Sequence, residues 1–235
     1  MIESLTNTKI KYAVKLKQKK YRNEYNQFLI EGEHLIIEAQ KSDLIDTIFY
    51  TSGDYSVNAY QVSNQVFSKI SELGNDHGVI AICNKPKNLP ISKKILLLDG
   101  VQDPGNLGTL IRTAAAFGFK TIIAENSVDY YNEKVIRSSQ GALFYVNLIE
   151  DSIIDFVRNN GDYHVFGTDV LNGKDIRNTS FKYDKLAIVL GNEGSGVRPI
   201  VKDIVKENIY IPMSETESLN VAIAGAIIMY ETTKE

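Results

Sequence analysis

The sequence predicts an α/β protein in two parts: a small α/β unit, then a larger domain built on a parallel sheet. Three observations carry this prediction. Apolar runs of strand length alternate with helix-period segments along the whole chain. Several runs in the second part are apolar almost without interruption, as in strands covered on both faces. A polar stretch with two prolines, Asn84-Lys85-Pro86-Lys87-Asn88-Leu89-Pro90, separates roughly 83 residues from roughly 145. The predicted division is residues 1–84, a linker over 85–93, and residues 94–235.

In the first part, Phe28–Glu31, Thr47–Tyr50 and Val79–Ile82 read as buried strands, and Glu33–Gln40 and Asn64–Leu73 as helices. In the second, strands are predicted at Ile95–Leu98, Thr121–Ala124, Leu143–Leu148, His164–Thr168, Leu186–Leu190 and Ile209–Ile211. Helices fall between them at Leu107–Phe117, Asn132–Ser139, Ser152–Asn159 and Pro199–Val205, and a last one runs from Leu219 to Glu231. No internal repeat or low-complexity segment interrupts the pattern.

Composition narrows the function classes. With 43% hydrophobic and 23% charged residues, the 235-residue chain reads as an ordinary globular protein. The N-terminus lacks an apolar signal core, and no stretch has the ~18 apolar residues of a membrane helix. Cys83 is the single cysteine, which excludes an internal disulfide and points to a reducing cytoplasm. His34, His77 and His164 lie far apart, so no metal site is predicted.

The net charge of −3 argues only weakly against nucleic acid, because its distribution matters more than its sum. Lys9, Lys11, Lys15, Lys17, Lys19, Lys20 and Arg22 follow one another without an acidic residue. Such a run can neutralise phosphates, and it equally describes a solvated helix face or a loose N-terminal arm.

In parallel sheets, ligands bind beyond the carboxyl ends of the strands, which directs attention to three loops. The first is Asp99-Gly100-Val101-Gln102-Asp103-Pro104-Gly105-Asn106, in which Asn106 is a candidate N-cap. In the helix that follows, Leu107, Leu110, Ile111 and Ala114 form the buried stripe. Arg112 lies off it, beside Gly108, Ala115 and Ala116, as a surface residue, an RNA-phosphate contact or half of an ion pair. The second loop, Leu190-Gly191-Asn192-Glu193-Gly194-Ser195-Gly196-Val197, has glycines that admit close backbone approach. It lacks the ending of a P-loop and the spacing of a dinucleotide fingerprint. Glu193 would repel a phosphate and suits a ligand with hydroxyls, an amine or a sulfonium. The third loop runs from Ile211 through Pro212 and Met213 to Ser218, Leu219 and Asn220, with Ser218 a candidate cap. The helix beyond it carries Ala222, Ala224, Gly225 and Ala226, which suit helix packing or a subunit interface.

Taken in order, Asn-x-Gly-x-x-x-Arg (Asn106–Arg112), Leu-Gly-Asn-Glu-Gly-x-Gly-Val (Leu190–Val197) and Ile-Pro-Met with Ser-Leu-Asn-Val-Ala (Ile211–Ala222) resemble the three signature motifs of the SpoU/TrmH family of RNA ribose 2′-O-methyltransferases. Arg137-Ser138-Ser139-Gln140-Gly141-Ala142 is also similar to the family pattern. The resemblance runs from about Lys94 to the C-terminus. More loosely, residues 1–84 resemble the family's ribosomal-protein-like RNA-binding domain, most tellingly at Phe28-Leu29-Ile30-Glu31-Gly32. Ser214-Glu215-Thr216-Glu217 departs from the family, many of whose members carry a glycine there.

The resemblance implies a parallel-sheet domain whose C-terminal segment forms a deep trefoil knot, and a homodimer with active sites at the subunit interface. It implies S-adenosylmethionine as cofactor, held near Thr168, Gly191, Asn192, Ile211, Met213 and Leu219, with Asn106, Glu193, Ser218 and Asn220 shaping the site. Arg112 matches the family's catalytic arginine. A guanidinium has a pKa above ~12 and is a poor base, so the role expected of Arg112 is to place the 2′-hydroxyl and stabilise the oxyanion. Lys15, Lys17, Lys19, Lys20, Arg22 and Arg137 are the expected RNA contacts. The expected substrate is structured RNA, ribosomal ahead of transfer RNA. Two other classes compete: a silent RNA-binding or ribosome-assembly factor on the same fold, and a nucleotide hydrolase, which would lack a phosphate-binding lysine.

Overall fold

The computed structural model describes residues 1–56, 58–87 and 89–234. Asn88 of the predicted linker and the last residue of the predicted second domain lie outside the described residues. In chain order, α1 (Thr8–Lys15) and α2 (Lys19–Tyr25) lead into β1 (Gln27–Glu31), α3 (Glu33–Lys41), β2 (Ile45–Tyr50), β3 (Ala59–Gln61), α4 (Asn64–Ile70) and β4 (Val79–Asn84). There follow β5 (Lys94–Asp99), α5 (Pro104–Ala116), β6 (Thr121–Glu125), α6 (Glu133–Ser139), β7 (Asn147–Glu150) and α7 (Ile153–Asn159). The chain ends with β8 (His164–Thr168), β9 (Lys174–Asp175), β10 (Leu186–Gly191), α8 (Pro199–Ile204), β11 (Glu207–Tyr210) and α9 (Val221–Glu231). Two compact units result: Met1–Lys87 with Tyr131–Phe144, and Asn88–Tyr130 with Tyr145–Glu235.

The first unit is a four-stranded sheet in the order β1-β4-β2-β3, antiparallel except where β2 meets β3. Its core joins Ile10, Ala13 and Leu16 of the helical N-terminus to Phe49, Phe67, Ile80 and Ile82. Each of the larger of these side chains, fully withdrawn from water, contributes roughly 1.5–3 kcal/mol before conformational entropy is subtracted. The lysine run therefore belongs to two packed helices rather than to a loose arm. Helix α4 stops at Ile70, short of the predicted Leu73, for an identifiable reason. The Glu31 carboxylate accepts hydrogen bonds from Ser71 Oγ (2.8 Å), Glu72 N (3.1 Å) and Leu73 N (3.4 Å), drawing these groups out of the helical ladder.

The second unit is a seven-stranded sheet in the order β7-β6-β5-β10-β8-β11-β9. Every pairing is parallel. Alternation along β5 and β10 sends Ile95, Leu97, Ala187 and Val189 into a core with Ile153, Phe156 and Val201 of α7 and α8. On the other face α9 packs on α5. A Cβ at Gly225 would lie 2.6 Å from both Leu110 Cδ2 and Leu190 Cδ1, so glycine sets this close approach.

Two predicted elements are corrected. Leu143–Leu148 is not one strand: Ala142–Tyr145 is a 3₁₀ turn, and β7 begins at Asn147. Gln140 and Gly141 both have positive φ (50° and 83°), which turns the chain before Leu143 buries its side chain outside any sheet. Strand β11 ends at Tyr210 rather than Ile211, the residue before Pro212, whose ring removes a backbone donor.

Candidate functional site

Because the strands are parallel, Asp99, Thr168, Gly191 and Tyr210 end at one edge of the sheet, and the three motif loops meet there. The second loop is a closed turn. Asn192 N donates to Gly196 O (3.1 Å) and Gly196 N to Asn192 O (2.9 Å). A Cβ on Gly191 would sit 2.1 Å from Gly196 C and 2.2 Å from Val197 N, so only glycine fits. The Asn192 side chain accepts from Gly194 N (2.9 Å) and Ser195 N (3.0 Å), and its Nδ2 donates to Gly100 O (2.8 Å), tying the second loop to the first.

Glu193 adds a second tie. Its carboxylate accepts from Gln102 N (3.1 Å), Asp103 N (3.0 Å) and Asn106 Nδ2 (3.1 Å). Burial pushes this carboxyl up, but these hydrogen bonds together outweigh burial and hold it below its ordinary value. Asn106 Oδ1 accepts from Asn220 Nδ2 (2.9 Å), which brings in the third loop. Glu193, read from sequence as a group for a ligand's hydroxyl or cation, is instead engaged by the protein's own first loop.

Two helix caps are corrected at the same place. Helix α5 is capped by Asp103, whose Oδ1 accepts from Asn106 N (2.8 Å), with Pro104 in the first turn; Asn106 lies inside the helix. Helix α9 is capped by Asn220, which accepts from Ala222 N (2.9 Å) and Ile223 N (3.3 Å); Ser218 is exposed and does not cap.

Sequence reasoning missed a charged clamp behind the loops. Arg198 N donates to Asp99 Oδ2 (2.8 Å), and its guanidinium Nε lies 2.6 Å from Asp99 Oδ1. The same guanidinium reaches both oxygens of Glu125 (3.1 and 2.6 Å). The Arg198 hydrogen bond is the main reason the Glu125 carboxyl lies below its ordinary value. The signal was present: β5 and β6 each end in an acid, and an arginine follows the glycine loop.

The second and third loops, with the turn after β8, wall a cleft of about 540 Å³, within the range of small-molecule sites. Thr168, Gly191, Asn192, Ile211, Met213 and Leu219 all line it, as do Glu193, Ser218 and Asn220. Asp169 and Lys202, not foreseen, line it too, 3.3 Å apart. Burial raises the Asp169 carboxyl, but hydrogen bonds from Leu171 N, Lys202 and Asn172 prevail and lower it. Asn106 and Arg112 do not line the cleft. Arg112 is exposed, with no hydrogen-bond or ion-pair partner among the described residues.

The predicted RNA contacts separate by environment. Lys15, Lys19 and Lys20 are exposed. Lys17 is half-buried and donates to Ser71 O (2.7 Å); burial lowers its pKa. Arg22 is corrected outright. It is 6% exposed, and its NH1 donates to Leu16 O (3.0 Å) and Lys17 O (2.7 Å) at the end of α1. Arg137 pairs with Glu133 one helical turn away. Among the described residues no three His, Cys, Asp or Glu side chains converge as metal ligands, and no helix is long and apolar enough to cross a membrane. Cys83 is buried in β4, and burial pushes its thiol pKa up.

A cleft at the carboxyl edge of a parallel sheet, walled by two motif loops that are both tied to the third, defines a ligand-binding α/β domain. Residues 93–230 match the SpoU rRNA methylase family, and the chain belongs to that family. Residues 7–81 match the MRM3-like substrate binding domain. The chain is 37% identical over 243 residues to the 23S rRNA (guanosine(2553)-2′-O)-methyltransferase RlmP of Bacillus subtilis, covering 97% of each. It is similar to the AdoMet-bound rRNA methyltransferase from Sinorhizobium meliloti, at TM-score 0.88 and 29% identity, covering 98% of this chain and 96% of that one. A putative RNA methyltransferase of the TrmH family from Porphyromonas gingivalis is similar at TM-score 0.86 and 30% identity, over 97% and 98% of the two chains.

Proposed function

We propose that this protein transfers a methyl group from S-adenosylmethionine to a ribose 2′-hydroxyl of structured RNA, ribosomal RNA ahead of transfer RNA. The observation that carries this reading is the Glu193–Asn106–Asn220 chain of hydrogen bonds. It ties the first motif to the second and third, distant in sequence, which wall a single cleft. The B. subtilis relative, named as a 23S ribosomal RNA 2′-O-methyltransferase, supports the substrate, and the AdoMet-bound neighbour supports the cofactor.

The residues present fit that cofactor. The cleft is roomy enough, the second loop offers backbone rather than bulk at Gly191, and the Asp169–Lys202 pair gives part of its lining a polar character. Thr168, Gly191, Ile211 and Leu219 would hold the adenine and ribose. When bound, S-adenosylmethionine supplies an electrophilic methyl on a sulfonium. The protein's task is then to align the ribose oxygen in line with it and keep the pair oriented. Arg112 positions the hydroxyl and its neighbouring phosphate and stabilises charge as it develops on oxygen.

Arg112 does not line the cleft of its own chain, which supports its acting at the cleft of a second copy. Helix α9 supports a homodimer: it is apolar on all sides, yet Ile223 and Tyr230 are 52% and 53% exposed. The fold neighbours support a C-terminal segment threaded as a trefoil knot. Residues 1–84, with the segment Tyr131–Phe144 that packs into the same unit, serve as the RNA-binding part and the rest of residues 94–235 as the methyltransferase part, joined by residues 85–93, in a cytoplasmic protein. The test is transfer of tritiated methyl from S-adenosylmethionine to RNA from cells lacking the gene, followed by nucleoside analysis. Label in a 2′-O-methylnucleoside is expected; RNA binding without incorporation would instead establish a silent binder.

A further inference from the structure

Three tyrosine rings form a stack in the lysine-rich part of the first unit. Tyr12 of α1 and Tyr25 of α2 have centroids 4.8 Å apart with 26° between their planes. Tyr25 continues to Tyr21, at 6.0 Å and 20°. Tyr21 and Tyr25 are one helical turn apart and share a face of α2. The inner end is anchored, because the Tyr12 hydroxyl donates to Gln27 Oε1 (2.6 Å). Tyr21 is the outer end. Its hydroxyl has no hydrogen-bond partner among the described residues. The ammonium groups of Lys15 and Lys20 lie 5.3 and 5.6 Å from its ring centroid.

The helix junction does not depend on this outer ring. Arg22, on the buried side of α2, already bonds the carbonyls at the end of α1. The surroundings also select the class of ligand. No acidic residue occurs from Ser4 to Asn23, and Lys11, Lys15, Lys19 and Lys20 are exposed. Lysine is depleted at the centres of protein–protein interfaces, whereas aromatic rings among cations suit single-stranded nucleic acid. Folded RNA is read most specifically at loops whose bases are splayed out and stacked on aromatic side chains.

We propose that Tyr21 is the platform for one unpaired nucleobase of the RNA substrate. Lys15 and Lys20 leave the ring to meet the flanking phosphates when the base arrives. Exposed cation–π contacts are weak and readily exchanged, which permits this switch. The proposal rests on the RNA-methyltransferase reading and extends it to how the first unit selects its target.

The experiment compares two labelled RNAs of equal length, a hairpin with an unpaired loop and a blunt duplex, over a series of salt concentrations. For the full-length protein, Tyr21→Leu should weaken hairpin binding by roughly five- to a hundred-and-fifty-fold, the loss of one stacked base. Duplex affinity and the salt slope should stay unchanged. Tyr21→Phe should bind like the wild type. Lys15→Gln with Lys20→Gln should instead flatten the salt slope, by roughly 0.7 per lost phosphate contact on single strands. The chain has no tryptophan, so Tyr21→Trp supplies a fluorescent reporter that the hairpin should quench and the duplex should not. Equal binding of the hairpin by wild type and Tyr21→Leu, or an equal loss on both RNAs, overturns the platform while leaving the methyltransferase reading intact. Failure of the wild type to bind either RNA overturns both.

Discussion

Asn220 donates from Nδ2 to Oδ1 of Asn106 at 2.9 Å, across 114 positions of sequence. The other end of the same Asn220 side chain accepts the first backbone donors of α9, and the Asn106 amide passes the connection on to Glu193. A helix cap, a helix interior and a glycine loop are thus held by two asparagines and one carboxylate. Two of these elements line the cleft and the third, the start of α5, braces them from outside it.

Glu193→Gln replaces the acceptor of three hydrogen bonds with an amide. Since the site is solvent-exposed, the expected loss of stability at pH 7 is modest, about 1 kcal/mol. The folded carboxyl is held below its ordinary value. Its stabilising contribution is therefore complete above the normal carboxylate range and disappears as pH falls through the depressed folded value. Urea denaturation of wild type and variant should differ at pH 7 and converge only once the pH has fallen below the ordinary carboxylate range. A difference independent of pH would remove the charge from the account.

Gly191→Ala places a methyl group against the backbone of Gly196 and Val197, which cannot move aside as a flexible side chain could. Overpacking of this kind costs about 1–3 kcal/mol. Calorimetric titration should show a large loss of S-adenosylmethionine affinity, because the displaced segment is the wall of the cleft. Unchanged affinity would place the cofactor elsewhere.

Arg112→Ala removes no side-chain hydrogen bond or ion pair among the described residues, so thermal stability and cofactor affinity should stay near wild type, within roughly 0.5 kcal/mol. Methyl transfer should fall by orders of magnitude. Wild-type turnover in the tritium assay would exclude Arg112 from the reaction. Mixing Arg112→Ala chains with cofactor-site variants should restore part of the activity if the arginine serves a partner's cleft.

Arg22→Ala removes a buried donor from the carbonyls of Leu16 and Lys17, at a cost of roughly 1–3 kcal/mol. The salt dependence of RNA binding should not change, in contrast to Lys19→Gln with Lys20→Gln. A flattened slope for Arg22→Ala would return this residue to the RNA surface.

The sheet was legible because its strands are apolar on both faces: Ile95–Leu98 and Leu186–Leu190 admit few other readings. The Leu143–Leu148 segment is just as apolar, but two positive-φ residues before it decide its conformation, and Gln140 gives no strong sign of one. Two cap assignments failed because Asp, Asn and Ser all accept from backbone donors, and only the chain direction shows which of several stands first. Loop positions of the cleft were readable from motif order. The contacts of Glu193, the Arg198 clamp and the burial of Arg22 were not, since each depends on partners brought together by the fold.

Segment Tyr131–Phe144 belongs to the first unit, although it is inserted between β6 and β7 of the second. Tyr131 and Phe144 lie 4.6 and 6.5 Å from Phe28, ring to ring, and His34 Nε2 is 3.3 Å from Gln140 O. The first unit is therefore discontinuous in the sequence. A chimera that exchanges residues 1–87 between relatives would graft a module missing its last helix, and a truncation there would strip that helix of its packing. Transplanting the unit requires two separate stretches of sequence moved together, and drift in the inserted segment is constrained by a surface encoded more than a hundred codons earlier.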